Sequence, residues 1–117
     1  MAESFAPGDD LIFQLESGFG LLRVLAVDGE GTNRVWHLLA YDEFFPDVET
    51  AEDALAKRAL AVRKPHMALT ERAFERTPAA RLGNRPISTD ELFAYDEWRA
   101  SGGTVSDRSA LLMLGMR

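Results

Sequence analysis

The sequence contains no cysteine among its 117 residues. Disulfide bonds, thiolate metal sites and cysteine nucleophiles are therefore excluded, which fits a reducing compartment. Long apolar runs are also missing, since a run such as residues 111–114 is far shorter than the roughly 20 residues that span a bilayer. The first residues lack the basic and apolar regions of a signal peptide. We expect a cytoplasmic protein without membrane contact.

Charge of both signs is present but unevenly distributed: 19 acidic and 13 basic residues give a formal net charge of −6. Residues 1–53 hold 12 acids and 2 bases, whereas residues 54–117 hold 7 acids and 11 bases. Six acids and no base lie within residues 42–53, and eight bases lie within residues 57–85. Two interpretations stay open. The two segments neutralise each other in the fold, or the acidic segment attracts a basic partner.

The pattern of apolar residues predicts an α+β fold. Alternating or continuous apolar residues between glycine-containing turns predict three antiparallel strands, at about residues 11–15, 21–27 and 35–41. A fourth strand is predicted at residues 60–64, ended by Pro65. We expect a small curled antiparallel sheet of about four strands, an SH3-like half-barrel, covered by C-terminal helices.

Helices are predicted from capping signals. Ser88-Thr89-Asp90-Glu91 is a complete capping box and opens a helix that should end near Gly102. Shorter helices are predicted to begin at Thr50, Thr70 and Ser106.

We expect a single hydrophobic core. A chain of 117 residues buries enough apolar surface for one domain, and no part of it is large enough to fold alone. We find no repeat and no low-complexity segment in the sequence. The prediction is a single domain over residues 1–117, mainly β over 1–65 and mainly α over 66–117.

Side chains that could carry chemistry are few. His37 and His66 are the only histidines, and no metal-ligand spacing accompanies them, so we predict neither a metal site nor a cofactor. No serine lies in a nucleophile-elbow pattern, and adjacent carboxylates point to opposite faces of a strand. We therefore name no catalytic residue and leave enzymatic activity as an alternative.

The acidic segment also holds two aromatic residues next to a proline. An exposed aromatic side chain ringed by charges is the usual layout of an interface hot spot, whereas a buried one would be a lid on the core. A basic protein is the partner that such a surface would attract. The predicted partner-binding residues are Asp42, Glu43, Phe44, Phe45, Asp47 and Glu49.

A pocket between the sheet and the helices is the alternative site. Arg23, His37 and Tyr41 lie on predicted strands and would share the concave face of a curled sheet, as in a small-molecule sensor or an enzyme. Strand alternation requires Arg23 either to face solvent or to pair with a carboxylate such as Asp10.

Nucleic acid and a second copy of the chain are two other classes of partner. The net negative charge argues against nucleic acid, whose phosphates most of the surface would repel. A second copy of the chain is a third alternative, and in such a homo-oligomer Trp36 and Trp98 would lie at the interface.

The segment from Gly8 to Tyr41 resembles a known family. Its Gly8-Asp9, Phe13, Gly18-Phe19-Gly20 and Arg23-Val24-Leu25, followed by an aromatic-rich third strand, are similar to the start of the type 26 immunity-protein family of bacterial polymorphic toxin systems. The resemblance covers about a third of the chain and does not extend to residues 81–117. It implies a small β-rich cytoplasmic protein that neutralises a toxin by binding it, and it carries over no site residue.

Overall fold

In a computed structural model that describes residues 5–57 and 60–115, the chain forms five strands and four helices. The strands are β1 (Asp9–Leu15), β2 (Gly18–Asp28), β3 (Val35–Tyr41), β4 (Val62–Thr70) and β5 (Ala79–Asn84). The helices are α1 (Val48–Lys57), α2 (Glu71–Glu75), α3 (Thr89–Ala100) and α4 (Ala110–Leu114), with a 3-10 turn at Gly31–Asn33. The longest of these helices has 12 residues, so none within the described residues is long and apolar enough to cross a membrane.

The strands form one open antiparallel sheet in the order β4-β3-β2-β1-β5. Consecutive strands β1 to β4 pair as a meander, and β5 returns to pair with β1. The α+β class is therefore confirmed, but the sheet has five strands rather than about four. The sheet is open, with β4 and β5 as its two edges, and the expected SH3-like half-barrel is not confirmed.

Strand β5 explains the difference in strand number. Its sequence, Ala-Ala-Arg-Leu-Gly-Asn, contains none of the β-branched or aromatic residues that favour strands. Pairing with β1 on one side is what makes it a strand, and that pairing joins residues about 70 positions apart. Together with the end of β4, it places strand structure within residues 66–117, the part predicted to be mainly α.

Both faces of the sheet are buried. One face packs against α2 and α4, and the opposite face packs against α1 and α3. The first cluster includes Leu11, Phe13, Leu22, Val24, Trp36, Leu38, Met67, Leu69, Phe74 and Leu114. The second includes Ile12, Leu21, Leu25, Leu39, Tyr41, Phe45, Leu55 and Tyr95. We call this second side the α1–α3 face. Strand β1 is buried on both of its faces, since of its residues only Gln14 is exposed.

Strand β4 continues through Pro65, where the sequence predicted its end. Proline cannot donate a ladder hydrogen bond, so it is tolerated at a sheet edge or at a bulge. Here both conditions hold: β4 is an edge strand, and its register against β3 shifts between the Leu38–Met67 and Ala40–Lys64 pairs. The shift also brings His66 into the strand.

Some helices begin at the residues that the sequence predicted, and others do not. Ser88 forms the predicted capping box with Glu91, and α3 ends just before the predicted position. Asp47, rather than Thr50, caps α1: its Oδ1 accepts hydrogen bonds from the backbone N–H and the hydroxyl of Thr50. Helix α4 is capped by Ser109 and begins later than predicted.

Ser106, the predicted start of the last helix, pairs with β4 instead. Its backbone N–H donates to Ala68 O, and its carbonyl oxygen accepts from the N–H of Thr70. The carbonyl oxygen that would accept the first hydrogen bond of a helix starting at Ser106 is thus engaged by β4, and α4 starts later.

The Gly18-Phe19-Gly20 motif has a packing explanation. A Cβ atom at Gly20 would lie 2.5 Å from Cζ of Phe13, whose ring covers this glycine from the neighbouring strand. A Cβ atom at Gly18 would lie 2.6 Å from the carbonyl oxygen of Phe45. Both glycines are therefore required by close approach, and the second contact ties the β1–β2 turn to the acidic segment.

Candidate functional site

Five of the six predicted partner-binding residues lie on the surface. Phe44 is the most notable of them, because this large apolar residue is 47% exposed. It is flanked in sequence by carboxylates that are also exposed. We call this set the acidic patch; its members are Asp42, Glu43, Phe44, Asp47 and Glu49.

Phe45 does not belong to the acidic patch. Only 5% of it is exposed, because it packs in the core of the α1–α3 face. Its backbone N–H and carbonyl group form two hydrogen bonds with Phe19, of 2.9 and 2.8 Å. The prediction that Phe45 contacts a partner is wrong: it anchors the acidic patch to the β1–β2 hairpin.

The patch is only partly neutralised by the basic segment 57–85. Asp42 pairs with Arg63 at 3.7 Å, and both side chains are well exposed. Among the described residues, Glu43 and Glu49 form no ion pair. The other arginines of this segment pair mostly elsewhere: Arg72 with Asp107, Arg81 with Asp9 and Arg85 with Asp10. Most of the negative charge of the patch therefore faces solvent.

The alternative pocket residues share one face of the sheet but belong to two separate clusters. Arg23 is fully buried and pairs with Asp10, which is the second of the two alternatives that strand alternation left open. Nε of Arg23 also lies 2.5 Å from Oε2 of Glu91 at the start of α3. Carbonyl oxygens of Gly8, Arg85 and Pro86 accept from the remaining guanidinium N–H groups. All five donors of Arg23 are therefore satisfied inside the fold.

Tyr41 joins this buried charge cluster through Arg85. Nε and Nη2 of Arg85 bind both oxygens of Asp10, at 2.7 and 2.9 Å, and Nη2 also donates to the hydroxyl oxygen of Tyr41 at 3.3 Å. The hydrogen bonds to Asp10 raise the pKa of Arg85 above its usual value. Burial raises the pKa of Tyr41, so its hydroxyl stays protonated at neutral pH.

His37 lies in the second cluster, away from Arg23. Its Nε2 is 2.9 Å from Oδ2 of Asp28, and its Nδ1 is 2.9 Å from Nε2 of His66. The hydroxyl of Tyr95 donates to the same carboxylate at 3.1 Å. Because a carboxylate only accepts, the neutral rings must both carry their proton on Nε2, and Nδ1 of His66 is left as an acceptor.

Both histidines are held neutral. Burial lowers the pKa of His66 to about 4, helped by the neighbouring His37 and Lys64. Burial also lowers the pKa of His37, although the Asp28 carboxylate opposes the change and Arg99 adds to it. Within the described residues no group of three His, Asp or Glu side chains is arranged to hold a metal ion.

The two tryptophans are used inside the chain. Trp36 is fully buried and stacks on Phe74, with ring centroids 4.4 Å apart. Trp98 packs beside His37 and donates its Nε1–H to Thr104 O at 2.8 Å. Burial excludes Trp36 from a homo-oligomer interface, whereas Trp98 is only partly buried.

Sequence reasoning missed Arg85, Glu91 and Asp28 as members of these clusters. Glu91 was assigned to helix capping, a role that it has together with its pair to Arg23. The signal that could have identified Arg85 is weak: it is one of eight bases in its segment.

The chain matches no family model, no curated protein and no solved structure in the comparisons made.

Proposed function

We propose that this chain is a cytoplasmic protein-binding module whose acidic patch docks a basic protein. The observation that carries the proposal is Phe44, 47% exposed amid carboxylates that mostly lack a base in the described structure. An aromatic anchor surrounded by charged side chains is how interface hot spots are built. Neutralisation of a toxin by binding, as in the immunity proteins that residues 8–41 resemble, is the specific role we propose.

The patch is preorganised for binding. Phe45 holds it to the β1–β2 hairpin by two backbone hydrogen bonds, and Asp47 fixes the first turn of α1 through Thr50. Residues that are ordered before binding lose less conformational entropy in a complex. The rigid backbone therefore supports a docking role for Phe44.

Its charge supports steering of a basic partner. A cluster of exposed carboxylates raises the association rate of a positively charged protein. The effect is smaller at high salt, because dissolved ions screen the attraction beyond roughly 10 Å. The complex should therefore form faster at low ionic strength.

The test compares two variants with equal change in net charge. Glu43→Gln/Glu49→Gln removes two charges from the patch, and Asp96→Asn/Glu97→Gln removes two exposed charges from α3. A tagged chain captures partners from a lysate of the source cell at about 50 mM salt, and the association rate of a captured, purified basic protein is then measured. We expect a fall of about tenfold in the patch variant and little change in the α3 variant. Equal rates for both variants would show that the patch is not the docking site.

Phe44→Ala tests the anchor separately. Loss of a hot-spot aromatic weakens binding by about tenfold or more, and the loss should appear in the dissociation rate because no charge is altered. Sedimentation of the purified chain at several concentrations distinguishes this proposal from a homo-oligomer.

A further inference from the structure

A cavity of about 390 Å³ opens between the α1–α3 face and the helices that cover it. Tyr41 at the end of β3 and Arg85 form part of its polar wall, and Ser88 and Glu91 contribute from the start of α3. Leu55 of α1 and Leu60 form an apolar wall. The cavity is separate from the acidic patch and contains one of the three residues predicted for a pocket.

Two polar side chains of this wall have hydrogen-bond donors left over. Nη1 of Arg85 makes no hydrogen bond to any described residue, whereas Nε and Nη2 are engaged by Asp10 and Tyr41. The hydroxyl of Tyr41 accepts from Arg85, and its own proton is donated to none of the described residues. Tyr41 is only 8% exposed, so this proton has little access to bulk water.

The acceptors of the wall, by contrast, are occupied. Glu91 accepts from Nε and Nη2 of Arg23 and from the backbone N–H of Ser88. The hydroxyl oxygen of Ser88 accepts from the N–H of Glu91, which leaves the hydroxyl proton of Ser88 as a further donor. The polar groups still available to a ligand are therefore donors, and a ligand that satisfies them must present acceptors.

We propose that this cavity binds the carboxylate of a small aliphatic acid, either a free acid or the C-terminal carboxylate of a peptide. A carboxylate accepts from Nη1 of Arg85 and from the hydroxyl of Tyr41, and an aliphatic chain contacts Leu55 and Leu60. The volume accommodates such a chain. Because Arg23 and Arg85 are balanced by Asp10 and Glu91, the site suits a singly charged anion better than a phosphate dianion.

Titration of the amide NMR spectrum with three probes tests the site. Pentanoate represents a free acid, N-acetylleucine represents a peptide C-terminus, and N-acetylleucinamide has the same apolar group without the charge. We expect the signals of Ser88 and Glu91 to shift with one or both acids at dissociation constants of about 1 mM or below, and not with the amide. The acid that binds more tightly identifies the source of the carboxylate. No shift at about 10 mM of either acid, or equal shifts with the amide, would overturn the proposal.

A pair of matched tyrosine variants tests the residues. Tyr41→Phe removes one hydroxyl from the cavity wall, and Tyr95→Phe removes a hydroxyl that donates to Asp28 instead, from a residue that is about as buried overall. Binding of the acid should weaken by about tenfold in the first variant and by less than about twofold in the second. Equal binding by wild type and Tyr41→Phe, with both folded by their spectra, would contradict the assignment. The Glu43→Gln/Glu49→Gln variant should bind the acid normally, so this proposal and the proposed function fail independently.

Discussion

Nδ1 of His37 lies 2.9 Å from Nε2 of His66, although the two residues are 29 positions apart. Pairing of β3 with β4 and the register shift near Pro65 bring the rings together. The pair continues to Asp28, so a carboxylate and two neutral imidazoles form one hydrogen-bonded chain. A proton added to Nδ1 of His37 breaks this pattern, because a doubly protonated ring cannot accept from His66, whereas a proton on Nδ1 of His66 leaves both hydrogen bonds in place.

Acid should destabilise the fold through these histidines, because burial lowers the pKa of both and so disfavours their charged forms. The pKa of His66 falls from 6.5 in the unfolded chain to about 4 in the fold, so the unfolded state binds more protons between these values. Stability is complete above pH 6.5 and declines as the pH falls towards about 4. We expect a loss of about 1–2 kcal/mol, less than the full shift gives, because the site is partly open to solvent.

Urea unfolding at a series of pH values from 7 to 5 measures this loss, in a range where most carboxylates do not titrate. His66→Gln keeps a donor for Nδ1 of His37 but has no titrating ring, so its stability should depend less on pH. The same slope in wild type and variant would refute the prediction.

Adjacent phenylalanines should respond oppositely to truncation. Phe45→Ala removes a buried side chain and should lower the free energy of unfolding by about 3–5 kcal/mol. Phe44→Ala removes a side chain that is 47% exposed and should change stability little. Thermal or urea unfolding of both variants measures the difference. A comparable loss in Phe44→Ala would mean that Phe44 is also part of the core.

Arg23→Met should be strongly destabilising. Removal of the guanidinium leaves Glu91 without its buried partner and Asp10 with Arg85 alone, and breaking a buried pair costs about 3–5 kcal/mol. Arg72→Met is the matched control, because Arg72 pairs with Asp107 at an exposed position. Urea unfolding should show a much smaller loss for the control. Similar losses would show that burial does not govern the strength of these pairs.

Gly20→Ala should destabilise the β1–β2 hairpin. The added methyl group meets the ring of Phe13, and overpacking of this kind costs about 1–3 kcal/mol. Gly83→Ala is the control, since a Cβ atom there has no neighbour within 4 Å among the described residues. We expect the control to be neutral or slightly stabilised, because alanine restricts the unfolded chain. Melting temperatures of the two variants check the prediction.

Much of the local structure could be predicted from the sequence. Strand β3 has the predicted bounds, residues 35–41, because alternation and the preceding turn mark both ends. The capping box at Ser88 is confirmed, since its hydrogen bonds join residues three positions apart. Ser106 shows the limit: its local signal is that of a helix cap, but backbone bonds to β4 override it.

The candidate sites were less accessible to sequence reasoning. The acidic patch is visible as a charge pattern, but the burial of Phe45 beside the exposed Phe44 depends on the contact with Phe19. Strand alternation left open whether Arg23 faces solvent or pairs with a carboxylate, and its contact with Glu91 joins residues 68 positions apart. Local patterns contain no information on such distant partners.

By itself the sequence determined the turns, the caps at Thr70 and Ser88, the first three strands and the excess of acid before residue 54, because these depend on neighbouring residues and on composition. Only the tertiary structure decided that β5 joins the sheet, that Arg23 and Arg85 share Asp10, and that His37 meets His66. The physical reason is burial on both faces of one sheet. The strand order β4-β3-β2-β1-β5 places distant charges side by side, and once buried they must pair.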